Sequence, residues 1–270
     1  MLSGNSAAQS NRHIKGMVID NRTNEPIAYA NIGFTSIGKG TSTDEYGMYE
    51  LRFPNNGDFD SLQVSAIGYF SAKISVLEAL QTDTIRLNPR TYEFEDIRVS
   101  DRKPRTKWIG KKIRPIMPGA FGASGPGKTI GAAFAFKVEW QDRLPLRPLN
   151  ARLYLSQNLN DSLRIRCRFM NVDDSGDPGE DLTPLNYILT TDKKSGWVTC
   201  NFTDDLLLIN EKQFYVVFEW LKMSNSKNVA PLFSKSIYMD VNPLVKRQPF
   251  GKWKEIDWAN NLVYGLKVEY

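Results

Sequence analysis

The chain has 270 residues, of which 41% are hydrophobic and 24% charged, with a formal net charge of +5. That length accommodates two sandwich-sized domains, and the composition excludes both a disordered chain and a bundle of membrane-spanning helices. The longest aliphatic run, Leu206 to Ile209, falls far short of the roughly 18 apolar residues a spanning helix needs, and so mild a positive balance favours anionic surfaces without specifying nucleic acid.

Residues 1–12 read as a polar, disordered tail without the apolar core of a secretory signal, although Ser6-Ala7-Ala8-Gln9 has the small-residue look of a cleavage site. Short alternating runs follow: His13 to Ile19, Ala28 to Thr35, Gly47 to Phe53, Leu62 to Ala66, Phe70 to Val76, Asp83 to Leu87 and Glu95 to Val99. This is the pattern of an antiparallel sandwich of seven strands. Asp20-Asn21, Asn24-Glu25-Pro26, Tyr46-Gly47 and Pro54-Asn55-Asn56-Gly57 supply the turn chemistry between the runs. Only Ser75 to Gln81 suits a helix, and a short one.

Five motifs occur in order over this stretch: Gly16-x-Val18-x-Asp20, Thr23-x-Glu25-Pro26-Ile27, Ala30-Asn31-Ile32, Gly40-Thr41-x-Thr43-Asp44-x-x-Gly47-x-Tyr49-x-Leu51, and Leu62-x-Val64-Ser65-x-Ile67-Gly68-Tyr69. Together they resemble the carboxypeptidase-regulatory-like (transthyretin-like) domain. The resemblance implies a transthyretin-like sandwich over residues 13–100 and no catalysis. Such domains are common in Bacteroidota, at the front of outer-membrane transporters and of many envelope proteins. The expected location is therefore the periplasm or the outer membrane and cell surface, assuming an export signal absent from this chain. Zinc peptidase chemistry is excluded because it needs two histidines and His13 is the only one. A transporter is excluded because the 171 residues after Val99 cannot hold a 22-stranded barrel.

From Arg102 to Arg114 the chain carries seven cations and no acid. Residues 101–128 read as a basic, Gly/Pro-rich linker, with an anion-binding or docking strip as the alternative. Within it, Gly122 to Thr129 satisfies the phosphate-loop spacing GxxxxGK[ST]. A nucleotide loop requires a buried strand before it and a helix after it. Here charges and prolines precede the motif and a period-two pattern follows, so it reads as a flexible approach to the next strand.

Residues 129–270 again alternate. Ala132, Phe134, Phe136, Val138 and Trp140 form one face, Leu149 to Leu155 repeats the period, and further runs lie at Leu163 to Met170, Ser195 to Phe202, Gln213 to Trp220, Leu232 to Tyr238 and Leu262 to Val268. The predicted arrangement is a jelly-roll-like β-sandwich, making the whole chain all-β. Gly176-x-Pro178-Gly179-Glu180-Asp181-Leu182, Gly196-Trp197-Val198 and Phe214-x-Val216-x-Phe218-Glu219-Trp220 are similar to a C-terminal region that follows the regulatory-like domain in uncharacterised Bacteroidota proteins. That similarity carries architecture and no activity.

Cys167 lies between Ile165 and Phe169 in the alternation, and Cys200 between Val198 and Phe202, so both face a core. Two buried thiols or one disulfide remain open. Asp173 to Asp181 is an acidic turn that fails the EF-hand template, with a weak irregular calcium site as the alternative. Trp140 and Trp220 end strand runs and read as core, whereas Trp253 and Trp258, set among charges, are the candidate exposed platforms for a ligand.

No nucleophile elbow, Cys-His pair or HExxH motif occurs. The expectation is a non-enzymatic envelope interaction or scaffold protein without cofactor or metal, its partners envelope proteins or surface glycans and not nucleic acid. The alternative is a carbohydrate-binding protein using exposed aromatics of the second sandwich.

Overall fold

A computed structural model describes residues 11–54, 61–91, 103–110, 131–183, 185–202, 207–224, 232–233, 243–255 and 262–270. The strand expected at Glu95 to Val99, the phosphate-loop-like segment Gly122 to Thr129 and Trp258 lie outside the described residues. The chain divides into two compact units, Met1–Arg90 with Pro249–Gly251, and Thr91–Gln248 with Lys252–Tyr270.

The first unit contains β1 (Asn11–Asp20), β2 (Asn31–Phe34), β3 (Lys39–Ser42), β4 (Met48–Pro54), β5 (Ser61–Ser65), β6 (Ala72–Ser75), α1 (Val76–Gln81) and β7 (Thr84–Leu87). Two sheets, ordered β4-β1-β7 and β3-β2-β5-β6, enclose a core in which Ile14, Val18, Tyr49, Leu51 and Phe53 meet Ile32, Phe34, Leu62 and Val64. The alternation read from the sequence is the alternation of faces, since successive strand side chains point to opposite sides.

Two details depart from the expected pattern. Strand β3 has no apolar alternation to announce it; the hairpin turn ending at Gly38, whose φ is +59°, folds it back onto β2. One pair, β1 with β7, is parallel, because α1 stands between β6 and β7 and carries the chain from one sheet to the other. The Ser75 hydroxyl caps α1 by accepting from the Glu78 amide at 3.0 Å, with Glu78 at the third helical position.

The second unit contains β8 (Thr106–Gly110), β9 (Ala133–Glu139), β10 (Arg147–Gln157), β11 (Ser162–Val172), β12 (Pro178–Asp181), β13 (Tyr187–Thr191), β14 (Gly196–Asn201), β15 (Gln213–Ser224), β16 (Leu232–Phe233), β17 (Leu244–Lys246), β18 (Lys254–Glu255) and β19 (Tyr264–Glu269). One sheet runs β14-β10-β19-β8 with β16 beside β10, and the other runs β12-β11-β15-β9-β17-β18 with β13 beside β11. Counting β8, β9, β10, β11, β13, β14, β15 and β19 as strands one to eight, the sheet orders are 1-8-3-6 and 2-7-4-5. The chain therefore switches sheet at nearly every step, which is the double Greek key of a jelly roll.

The inward faces form a single core. Phe134, Phe136, Phe169, Phe214, Phe218 and Trp220 project from one sheet and Leu153, Leu155, Val198, Tyr264 and Leu266 from the other. Trp140 and Trp220 are both buried, as their places at the ends of alternating runs require.

The basic segment read as linker is corrected at Thr106–Gly110, which is an edge strand paired with β19. Ile109 packs on the core opposite Leu266, and Trp108 points the other way opposite Lys267. Five residues with two apolar neighbours side by side carry too little periodicity to signal a strand; pairing with β19 supplies the order. The same holds for the four-residue β12 and the still shorter β17 and β18.

Turn glycines divide into two kinds. At Gly47, φ is +74°, its amide donates to the Asp44 carbonyl at 3.2 Å, and a β-carbon there would stand 2.8 Å from the Val18 carbonyl oxygen. At Gly176, φ is +86° but nothing lies within 4 Å of the added carbon. Gly47→Ala should destabilise by about 2–4 kcal/mol, combining the left-handed penalty with overpacking, and Gly176→Ala by about 1 kcal/mol. Urea unfolding midpoints check this, and equal losses would contradict the role assigned to the Val18 carbonyl.

Candidate functional site

The two sheets of the jelly roll have chemically opposite outer faces. On the seven-stranded sheet, one cross-strand rank runs Lys246 on β17, Ala133 on β9, Glu219 on β15 and Arg166 on β11. The Arg166 Nε and Nη2 donate to Glu219 Oε2 at 3.1 and 2.9 Å, and Arg168 Nη1 donates to the same oxygen at 3.1 Å. Arg168 then forks onto Asp181, with Nε to Oδ1 at 2.8 Å and Nη2 to Oδ2 at 2.6 Å. Arg166 Nη1 donates to Asn186 Oδ1 at 3.2 Å.

This network is out of water: the Arg166 and Glu219 side chains are 2% and 0% exposed. Burial by itself raises the Glu219 carboxyl, but the Arg166 and Arg168 guanidiniums override it and hold the group down to about 2. Lys246 fares differently. Burial is the larger effect and pushes its ammonium down to about 8, with Glu219 only partly offsetting it. Among the described residues, three cations thus face two carboxylates, and Lys246 is the surplus one. Its Nζ stands 4.8 Å from the centre of the Trp253 ring, a cation–π contact.

Trp253, predicted as an exposed platform, is half-buried and packs against a satellite cluster of Ala133, Ala135, Met170, Tyr215 and Val217. Its immediate surroundings are those of a packed residue. The acidic turn completes the closure, because the Tyr215 hydroxyl donates to the Gly176 carbonyl at 2.6 Å. That turn is folded on itself: Asp173 Oδ1 accepts from the Ser175 and Asp177 amides, each at 2.9 Å. Among the described residues, no group of three His, Cys, Asp or Glu side chains is placed to hold a metal ion.

On the five-stranded sheet the outer face is half-open. Arg152 of β10 is sandwiched between two indoles, its guanidinium carbon 4.0 Å from the ring centres of both Trp108 on β8 and Trp197 on β14. Tyr154 sets its ring edge-on to Trp197 at 5.2 Å. Opposite Arg152 stands Gly265 of β19, itself opposite Gly110 of β8. The result is an aromatic–cationic ladder over four strands. Sequence reasoning placed Trp108 in a linker and gave Trp197 no role; the signal present was the outward parity of Arg152 and Trp197, one step from the core residues Leu153 and Val198.

In the first unit, the five sequence motifs join into one set of contacts. Asp20 Oδ1 accepts from the Arg22 and Thr23 amides at 2.6 and 3.0 Å, and its Oδ2 accepts from the Tyr69 hydroxyl at 3.0 Å. The Arg22 amide is the main reason the Asp20 carboxyl lies below its ordinary value. The buried Thr43 hydroxyl accepts from the Ala30 amide and donates to the Ile27 carbonyl, each at 2.8 Å. Asp44 Oδ1 accepts from the Tyr46 and Met48 amides.

Residues 14–99 match the family described as the CarboxypepD_reg-like domain. The first domain is a CarboxypepD_reg-like domain. The match covers about a third of the chain, and no curated protein matches it. The regulatory-like domain presents an open depression of about 430 Å³, lined by His13, Lys15, Leu80, Gln81 and Asp83 among others. It holds the chain's one histidine and no cysteine.

Two substitutions separate the charged groups by sign. Glu219→Gln leaves the buried Arg166 guanidinium without its carboxylate and Arg168 with Asp181 alone, and should cost about 3–5 kcal/mol. Lys246→Met should stabilise at pH 7 by about 1–3 kcal/mol, because an apolar side chain replaces a buried surplus charge. Between pH 8 and 10.5 the unfolded chain retains a Lys246 proton that the folded chain has released. Wild-type stability therefore rises across that window and the methionine advantage shrinks. Denaturant unfolding from pH 7 to 10 measures both effects, and a Lys246→Met variant less stable than wild type at pH 7 would contradict the assignment.

Proposed function

We propose that this chain is a non-enzymatic interaction or scaffold protein of a bacterial cell envelope, of the Bacteroidota type, whose second domain docks another envelope protein. The observation that carries the reading is the Trp108–Arg152–Trp197 ladder with Tyr154 beside it, on the outer face of the five-stranded sheet. Tryptophan, tyrosine and arginine are the residues that dominate binding energy in protein interfaces, and here they are held rigid by stacking before any partner arrives. A regulatory-like first domain adds a sandwich whose function in the chain is likewise non-catalytic. No helix among the described residues is long and apolar enough to cross a membrane. The periplasm or the outer-membrane surface are proposed on the strength of the regulatory-like first domain.

Carbohydrate binding is the second reading, favoured by the half-exposed indoles, since the apolar face of a pyranose matches an indole ring. It ranks lower because Arg152 already occupies one face of each ring.

Arg152→Ala and Trp197→Ala discriminate the two. With the immobilised chain and a solubilised envelope fraction, each variant should weaken capture of a saturable protein partner at least tenfold, about 1.4 kcal/mol or more. A variant at the exposed Glu139 of the other sheet should not. A glycan array that responds to the wild type and falls silent in Trp197→Ala would transfer the reading to carbohydrate, and unchanged protein capture by both variants would refute the docking face.

A further inference from the structure

Cys167 and Cys200 are free thiols, both buried in one core. Cys167 projects inward from β11 of the seven-stranded sheet, opposite Tyr187 of β13. Cys200 projects inward from β14 of the five-stranded sheet, opposite Ala151 of β10, whose small side chain leaves space beside it. Burial above all, with Cys200 beside it, holds the Cys167 thiol well above the ordinary thiol range.

Topology brings them together. Strands β13 and β14 are consecutive and belong to different sheets, and they lie in contact as the chain crosses between them. Tyr187, beside Cys167, packs its ring against Phe202, two residues beyond Cys200, with centroids 4.8 Å apart. The two sheets are therefore in contact beside both cysteines. Among the described residues, no group of three His, Cys, Asp or Glu side chains that could hold a metal ion includes them.

We propose that Cys167 and Cys200 form an inter-sheet disulfide, closed by exchange with a small-molecule or protein disulfide in an oxidising compartment. Cys200 is 6% exposed and Cys167 0%, so Cys200 is the entry point. Its thiolate attacks one sulfur of the incoming disulfide, forming a mixed disulfide and expelling one thiolate. The Cys167 thiolate then attacks the Cys200 sulfur and expels the second. Two cysteine protons leave with the two new thiols, and the electron pair lost by the protein reduces the reagent. The bond joins strands from both sheets and closes the segment that carries Arg168, Asp181 and Trp197, which constrains the unfolded chain. This inference does not depend on the docking reading.

The test uses the full chain equilibrated in a buffer of oxidised and reduced glutathione, both as the native protein and during refolding from urea. Intact-mass measurement after alkylation in denaturant is expected to show loss of two hydrogens and no alkylated cysteine. The oxidised form should melt about 5–10 °C above the reduced form. Cys167→Ser and Cys200→Ser should each remain folded and form at most a mixed disulfide with glutathione. Two alkylated cysteines in both preparations, two glutathione adducts on one chain, or a lower melting temperature for the bridged species would each overturn the proposal. Where refolding fails, the native incubation decides.

Discussion

A carboxylate held entirely out of water stays ionised only when donors converge on it, and Glu219 imposes that demand on the whole seven-stranded sheet. Three guanidinium N–H groups meet on one of its oxygens. Arg166 and Arg168 must both come from β11, and Arg168 in turn draws Asp181 and hence β12 against the sheet. The face that results is closed by Trp253 and by the turn under Tyr215. The part of this outer face around Glu219 has become interior, while the outer face of the opposite sheet presents aromatic and cationic chemistry.

The same network also fixes register. Strands β11 and β15 pair over ten positions with one irregularity, between Arg164 and Ile165. A slip of one residue would send Arg166 and Arg168 into the core and bring Cys167 and Phe169 out. An apolar pair in place of Glu219 and Arg166 would tolerate such a slip far better. Specific pairing, more than gross stability, is what a buried ionic cluster contributes here.

Much of the architecture was legible because period-two alternation is the direct signature of a two-faced strand. Ile165, Cys167 and Phe169, or Phe214, Val216 and Phe218, declared their side of the sheet without help. The short strands β3, β8 and β17, which lack apolar alternation, were not legible, since their order comes from pairing with a neighbour. The outer faces were read with the least success. Arg166, Arg168 and Glu219 occupy positions where alternation predicts solvent, and only three-dimensional convergence buries them. Trp253 looked exposed from its charged neighbours Lys252 and Lys254, yet its ring lies under Lys246 and it packs on a cluster of Ala133, Ala135, Met170, Tyr215 and Val217 that is remote in sequence. Trp108 and Trp197 lie 89 positions apart in the chain, and nothing local links them. Arg152 joins them by stacking on both rings.

The ladder on the five-stranded sheet is proposed as a docking surface, and the opposite outer face is not. A photo-crosslinking residue placed at Thr199, which pairs with Arg152 on that face, tests it most directly, with the same residue at Glu139 of the other sheet as the control. The account predicts a discrete protein adduct from Thr199 in cells that make the chain, lost when Arg152 is replaced by alanine and absent from the Glu139 position. Identical adduct patterns from the two positions, or a Thr199 adduct indifferent to Arg152→Ala, would contradict it.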